Sequence, residues 1–245
     1  MQAMIFAAGL GTRLKPLTDA MPKALVRVGE CTLLERVISR LAAIGTDNMV
    51  VNVHHFAEQI KDYLHANSNF GQNIMVSDES SQLLDTGGGL KKAQGLFRSD
   101  EPVLIHNVDI LSNVDLRTFY EQGRHADATL LVSQRQTQRY LLFDNEMRLV
   151  GWTNIKTGEV RSPYKDINPS DCTMLAFAGI HTFSPQLFAL MDDYPDRFGI
   201  MDFYLSVCHK TTIKGVMADG LKLLDVGKVE SLATAEQFIR EMENS

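Results

Sequence analysis

The chain predicts an α/β fold, a three-layer sandwich built on a mixed but mostly parallel central sheet. Three observations carry that expectation. Short apolar runs alternate with helix-spaced segments over residues 1–125, and glycine-rich or polar turns separate them. From residue 126 onward the apolar runs follow one another through turn-rich links, as antiparallel strands do. With 245 residues, 44% hydrophobic and 22% charged, the chain can bury a core of that size.

Taken in order, "AMIFAA" (3–8) reads as a short buried strand. "TLLERVISRLAAIG" (32–45) has helical apolar spacing and a glycine stop. "NMVVNVHH" is a strand, "AEQIKDYLHANSNFG" a polar-faced helix, and "QNIMVSDE" a strand again. "GGGLKKAQGLF" reads as a helix entered through a glycine turn, and "PVLIHNVDIL" as a strongly hydrophobic strand. This alternation predicts parallel strands covered on both faces. In the second half "ATLLVSQR", "YLLFDNEMRLVGWTN" and "TMLAFAGIHTF" read as strands, and "SPQLFALMDDY" and "MDFYLSVCHK" as helices. "GLKLLDVGKVESLATAEQFIREM" gives a strand, a glycine turn and a last amphipathic helix. The polar segment 155–172 is expected to be a loop or lid. A single domain over 1–245 is expected, with a nucleotide-binding half at 1–125 and a sugar-binding half at 126–245.

Composition excludes several classes. A net charge of −6 with Lys91-Lys92 as the only adjacent basic pair gives no face for nucleic acid. Cys31, Cys172 and Cys208 are odd in number and widely spaced, with no Cys/His cluster, so reduced thiols are expected rather than zinc or disulfides. No apolar run approaches the ~18 residues of a spanning helix, and no charged region precedes "AMIFAAGL" as in a signal peptide. A soluble cytoplasmic protein without membrane contact is the expectation.

The chemistry concentrates in "FAAGLGTRLKPLTDAMPKAL" (6–25). A dinucleotide fingerprint fails there, because position 14 is leucine where a third glycine belongs, and no P-loop spacing occurs anywhere in the chain. What remains is Gly9-Leu10-Gly11-Thr12-Arg13, followed ten residues after Arg13 by Lys23. Glycines let backbone N–H groups converge on an anion. Arg13 adds a planar fork of donors and Lys23 a compact charge. The competing reading is an ordinary strand-to-helix turn with two surface cations.

The stretch "MIFAAGLGTRLKPLTDAMPKALVRV" closely resembles the signature of the sugar-1-phosphate nucleotidyltransferases. The resemblance continues through "LLERVISRLAAIG", "DTGGGLKKA", "HNVDIL" and "LLDVGKVESL", nearly the whole chain. Within the family, the short chain and "TGGG" look most like the N-acetylmuramate-1-phosphate uridylyltransferase branch. The resemblance implies a Rossmann-like sandwich, an NTP (UTP foremost) and a sugar-1-phosphate as substrates, and Mg²⁺ as cofactor. Implied as nucleotide-binding are Ala8, Gly9, Gly11, Thr12, Arg13 and Lys23, with Arg13 and Lys23 also catalytic. Glu79, Thr86, Gly87 and Gly88 are implied as base contacts, and Asn107, Gly179 and Lys165 as sugar-phosphate contacts. Asp109 and Asp225, each at the end of an apolar run, are the implied metal ligands, two carboxylates being a usual protein contribution to Mg²⁺. Each could instead cap a turn.

Two places depart from the family pattern. Val108 stands where a glycine usually precedes the first metal aspartate, and Leu223, Lys228 and Val229 replace the tryptophan, threonine and proline around the second. His54, His55 and His106 are expected to be packed or hydrogen-bonded rather than catalytic. GTP-dependent hexose- or heptose-1-phosphate guanylyltransfer, phosphocholine cytidylyltransfer and a non-catalytic nucleotide sensor are the alternative readings. A monomer or small homo-oligomer is expected.

Overall fold

The computed structural model describes residues 1–243. The first half runs β1 (Gln2–Phe6), a small ribbon of β2 (Arg27–Val28) and β3 (Cys31–Thr32), α1 (Leu33–Ala43) and β4 (Asn48–Val53). It continues with α2 (Ala57–Ala66), β5 (Ile74–Asp78), α3 (Asp85–Lys92), β6 (Val103–Asn107), β7 (Ile110–Ser112) and α4 (Leu116–Gly123). The second half adds β8 (Ala128–Ser133), β9 (Arg139–Phe143), β10 (Leu149–Asn154), β11 (Glu159–Arg161) and β12 (Thr173–Phe183). Then come α5 (Ile200–Val207), β13 (Ile213–Val216), β14 (Leu223–Asp225) and α6 (Val229–Glu243).

The expected parallel core is present. β6, β1, β4 and β5 lie side by side and all pair in parallel. Alternate residues of β1 face opposite layers, so Ala3 and Ile5 join one core and Met4 and Phe6 the other. Leucines and valines of α1, with side chains of α2, α4 and α6, fill the first layer. Leu90 of α3 and Phe203 and Tyr204 of α5 fill the second. Helix α1 starts where the sequence tells it to: Thr32 Oγ1 accepts the Glu35 N–H at 3.1 Å, and Gly45 takes φ +80° just past the end.

The second half extends this sheet in antiparallel sense. β12 is the joint: its last four residues pair with β6, Ala176–Phe183 run beside β8, and Thr173–Leu175 pair with β9. Among the described residues the sheet reaches ten strands. The expected lid at 155–172 is partly ordered as β11, an edge strand in a hairpin with β10.

A second difference lies at the triple glycine. Gly87, Gly88 and Gly89 are inside α3 and buried, rather than forming a turn ahead of it. A Cβ on Gly87 would come 2.4 Å from the Phe198 ring, and one on Gly88 would come 2.0 Å from the Asp196 carbonyl oxygen. The amides of Gly87 and Gly88 both donate to the Phe198 carbonyl, at 2.9 and 3.2 Å. Close packing against segment 196–198 therefore outweighs the poor helix propensity of glycine here.

Candidate active site

At the carboxyl ends of β1, β4 and β6 the chain opens a cleft, the usual place for a ligand in such a sheet. Three short turns shape the loop after β1, at Thr12–Leu14, Leu17–Asp19 and Lys23–Leu25. Gly11 holds φ +63°, and its carbonyl accepts both the Leu14 N–H and the Thr18 hydroxyl at 2.8 Å. The Ala7 N–H is fixed at 2.8 Å to Asn52 Oδ1, which pins the start of the loop to β4. A cavity of about 580 Å³ follows, lined by Ala8, Gly9, Gly11, Thr12, Arg13 and Lys23. Thr86 lines it from α3.

A neighbouring hollow of about 180 Å³ shares Phe6, Gly9, Lys23 and Thr86 with the first and is lined further by Asn107, Val108 and Asp109. Lys23 Nζ pairs with Asp109 Oδ2, and only 11% and 16% of these side chains are exposed. Asp225 joins them through the backbone. β7 and β14 pair with Ile110 opposite Asp225, and the Val226 N–H donates to the Asp109 carbonyl at 2.8 Å. Gly227 completes the contact: a Cβ there would lie 2.6 Å from Asp225 Oδ1 and 2.7 Å from Arg13 Nη2. Its missing side chain lets Arg13 and Asp225 face one another.

The electrostatics fit a divalent cation. Asp225 Oδ1 is buried and has no hydrogen-bond partner among the described residues. Burial and the negative charge of Asp109 push the Asp225 carboxyl above the usual carboxylate range, opposed by Lys23, Arg13 and Arg135. A lone buried carboxylate oxygen beside a second carboxylate is a costly arrangement in the absence of a cation. Hard oxygen donors of this kind suit Mg²⁺, whose remaining ligands are substrate phosphates and water. Among the described residues no group of three or more His, Cys, Asp or Glu side chains forms a self-sufficient metal cage.

Three sequence expectations need correction. Glu79 does not line the cleft. It is fully buried, accepts Asn52 Nδ2 at 2.7 Å and the Leu84 N–H at 3.3 Å, and so braces the segment leading into α3. Gly87 and Gly88 face segment 196–198 rather than open space, for the packing reason given above. Lys165 is exposed on the loop between β11 and β12 and lines neither hollow. Gly179 does sit by the site, at φ +78° where the β12–β8 register breaks, with Asn107 Nδ2 3.0 Å from where its Cβ would be. Two of the histidines are hydrogen-bonded as expected, His54 Nδ1 with the Glu79 carbonyl at 2.7 Å and His106 Nδ1 with the Asn107 carbonyl at 2.8 Å, whereas His55 is exposed beside the Phe56 ring. Burial lowers His106 to about 3, which keeps it neutral.

Sequence reasoning missed several lining residues, Asn52, Asp85 and Gly199 among them. Asn52 carried a signal, being a polar residue inside the apolar run "NMVVNV". Asp85 and Gly199 line the larger hollow from opposite halves, and Arg197 Nε donates to Asp85 Oδ2 at 2.8 Å across that seam.

Comparison with known proteins gives the same picture. Residues 2–143 match the family model for nucleotidyl transferase. N-acetylmuramate alpha-1-phosphate uridylyltransferase of Caulobacter vibrioides is 31% identical over 98% of this chain and 97% of its own length. The enzyme of that name from Neisseria meningitidis is 37% identical, over 49% of this chain and 52% of its own. A mannose-1-phosphate guanyltransferase of Neurospora crassa is 40% identical over 55% of this chain and 38% of its own. Among solved structures, HddC of Yersinia pseudotuberculosis in complex with GMP-PN superposes with TM-score 0.76 at 20% identity, over 97% of this chain and 99% of that one. Inositol-1-phosphate CTP transferase of T. maritima superposes with TM-score 0.77 at 14% identity, over 100% of this chain and 96% of that one. These two likenesses establish the fold. With a cleft built from a glycine loop, two cations and two aspartates, and with the family model and a full-length relative in agreement, this chain belongs to the nucleotidyl transferase family and is a sugar-1-phosphate nucleotidyltransferase.

Proposed function

We propose that the protein transfers UMP from UTP to N-acetylmuramate-1-phosphate, giving the UDP-sugar and pyrophosphate. The observation that supports this reading is the 31% identity to a uridylyltransferase of that specificity over almost the full length of both chains.

An oxygen of the acceptor phosphate attacks the α-phosphorus in line. The bond from that phosphorus to its bridging oxygen breaks, and pyrophosphate leaves. The attacking phosphate is already ionised near neutral pH, so the cleft needs no general base. Catalysis then rests on placement and charge. The backbone from Gly9 to Thr12 and the Arg13 fork hold the β- and γ-phosphates, which keeps the leaving group aligned. Lys23, fixed beside Asp109, follows the charge that builds on the α-phosphate. Asp109 and Asp225 would hold Mg²⁺, which supplies offsetting charge for the α-phosphate and the departing pyrophosphate. Thr86 lies at the mouth of α3, where the base is expected to sit. Asn107 and Gly179 lie on the acceptor side.

The test is pyrophosphate release with Mg²⁺, crossing four NTPs against a panel of sugar-1-phosphates. UTP with N-acetylmuramate-1-phosphate should give the highest kcat/KM. A higher value for GTP with a hexose- or heptose-1-phosphate would replace the substrate pair and leave the roles of the cleft residues standing. NTP binding without turnover on any acceptor would favour a sensor.

A further inference from the structure

The ribbon of β7 and β14 sets Asp109 beside Asp225, yet it stands outside the ten-stranded sheet, and its three-residue strands pair only with each other. Two strands of that length do not hold a fixed place on their own. Ile110 and Leu111 bury the ribbon against the first-layer core, a contact without direction. At its near end the Val226 N–H is bonded to the Asp109 carbonyl at 2.8 Å. At its far end Asn113 accepts the Lys222 N–H at 2.8 Å and donates to the Gly220 carbonyl at 3.0 Å. These bonds tie the ribbon to itself and leave its seat on the rest of the molecule unspecified.

Arg40 supplies a directed contact. It lies in the last turn of α1, and its guanidinium forks onto the end of β7. Nη1 donates to Ser112 Oγ at 3.2 Å and Nη2 to the Val114 carbonyl at 2.6 Å. Ser112 pairs with Leu223 across the ribbon, so the fork grips it within one turn of chain from each aspartate.

The contact is a costly one. Burial pushes the Arg40 guanidinium below its ordinary value, and among the described residues it forms no ion pair. Arg36, one turn earlier on the same helix, adds a like charge and bonds instead to the Val28 carbonyl. The Arg40 charge also acts on His106, which is fully buried and neutral in β6. Leucine or methionine would pack here without that penalty. A planar fork that spans a hydroxyl and a carbonyl does what they cannot, because it fixes distance and angle together.

We propose that Arg40 is a positioning residue. It fastens the ribbon to α1 and so sets the separation of Asp109 and Asp225 at which a divalent cation is held. This rests on the metal-holding role given to the two aspartates above.

The experiment measures Mn²⁺ binding, from the electron paramagnetic resonance of the free ion, in the wild type, R40M, R40K and D109N. Each protein carries the non-hydrolysable α,β-methylene analogue of whichever NTP it binds best, so the choice of base does not enter. R40M should weaken Mn²⁺ binding by about tenfold to a hundredfold, the range for residues that orient metal ligands from behind. R40K keeps the charge but not the fork, and should recover part of the loss. In steady state the Mg²⁺ concentration for half-maximal rate should rise by a like factor, while KM for the NTP at saturating Mg²⁺ stays near its wild-type value. S112A removes one arm of the contact and is the milder variant if R40M folds poorly. L64A, a core truncation on α2, controls for lost stability: it should lower Tm and leave Mn²⁺ affinity unchanged. Binding weakened in D109N but not in R40M or S112A, or weakened as much in L64A as in R40M, overturns the assignment and leaves the metal reading standing. Unchanged affinity in D109N overturns the metal reading, and the role of Arg40 with it.

Discussion

On the roles proposed above, the two sides of the cleft are made in different ways. The donor side is almost all backbone and buried charge. Gly11 is locked in a left-handed turn by two hydrogen bonds to its carbonyl, and Lys23 is 9% exposed against Asp109. The acceptor side comes from strand ends, where Asn107 closes β6 and Gly179 lies in a bulge of β12. A triphosphate is the same whichever sugar it meets, so its seat can be rigid. The acceptor varies between relatives, and side chains on connections are easy to replace without disturbing a core.

The contrast is tested most severely at the paired aspartates. Asp109→Asn should lower kcat by about a thousandfold, with near-ultraviolet circular dichroism unchanged. Turnover within about tenfold of the wild type would remove Asp109 from the charge-handling set.

A smaller effect is expected in the loop. Gly11→Ala places a Cβ at φ +63°, 2.8 Å from Thr18 Cγ2 and 3.1 Å from Lys23 Cβ. The left-handed conformation alone costs a non-glycine residue about 1–2 kcal/mol. KM for the NTP should rise about tenfold, matching that cost, while KM for the sugar phosphate stays near its wild-type value. Equal rises in both would show that the two sides are not separable.

The smallest change concerns Glu79, behind the donor side. Burial raises its carboxyl above the usual range, partly opposed by the bonds from Asn52 and Leu84. A carboxyl raised in the folded state adds stability below the ordinary carboxylate range and loses it as pH climbs through the raised value. Glu79→Gln removes that titration and keeps an acceptor oxygen. The Tm difference between pH 4.5 and pH 8 should therefore shrink by about 2–4 °C relative to wild type in thermal melts. An identical pH profile would show that Glu79 titrates as it does in the unfolded chain.

The donor side was legible in sequence because it is contiguous. Gly9 to Lys23 lie within one short stretch, and the resemblance to a family signature supplied the roles that spacing left open. The alternation of strands and helices behind the parallel core also followed from local periodicity. Gly199 had no such signal, since its place depends on how the start of α5 packs against the cleft. The triple glycine misled for a physical reason. Glycine marks both a free backbone and a close neighbour, and the neighbour here, segment 196–198, lies over a hundred residues away. Glu79 was assigned to the base through the resemblance alone, whereas Asn52 and the Leu84 amide make it a buried brace.

The β7–β14 ribbon has a consequence for how the protein comes off the ribosome. Asp109 and Asp225 are more than a hundred residues apart, and the second lies in β14, near the end of the described chain. A product of interrupted synthesis would carry the whole triphosphate loop and one carboxylate, yet nothing to set opposite it. On the roles proposed above, truncated chains would be inert before they are complete, and β14, three residues long, marks where an unfinished polypeptide becomes an enzyme.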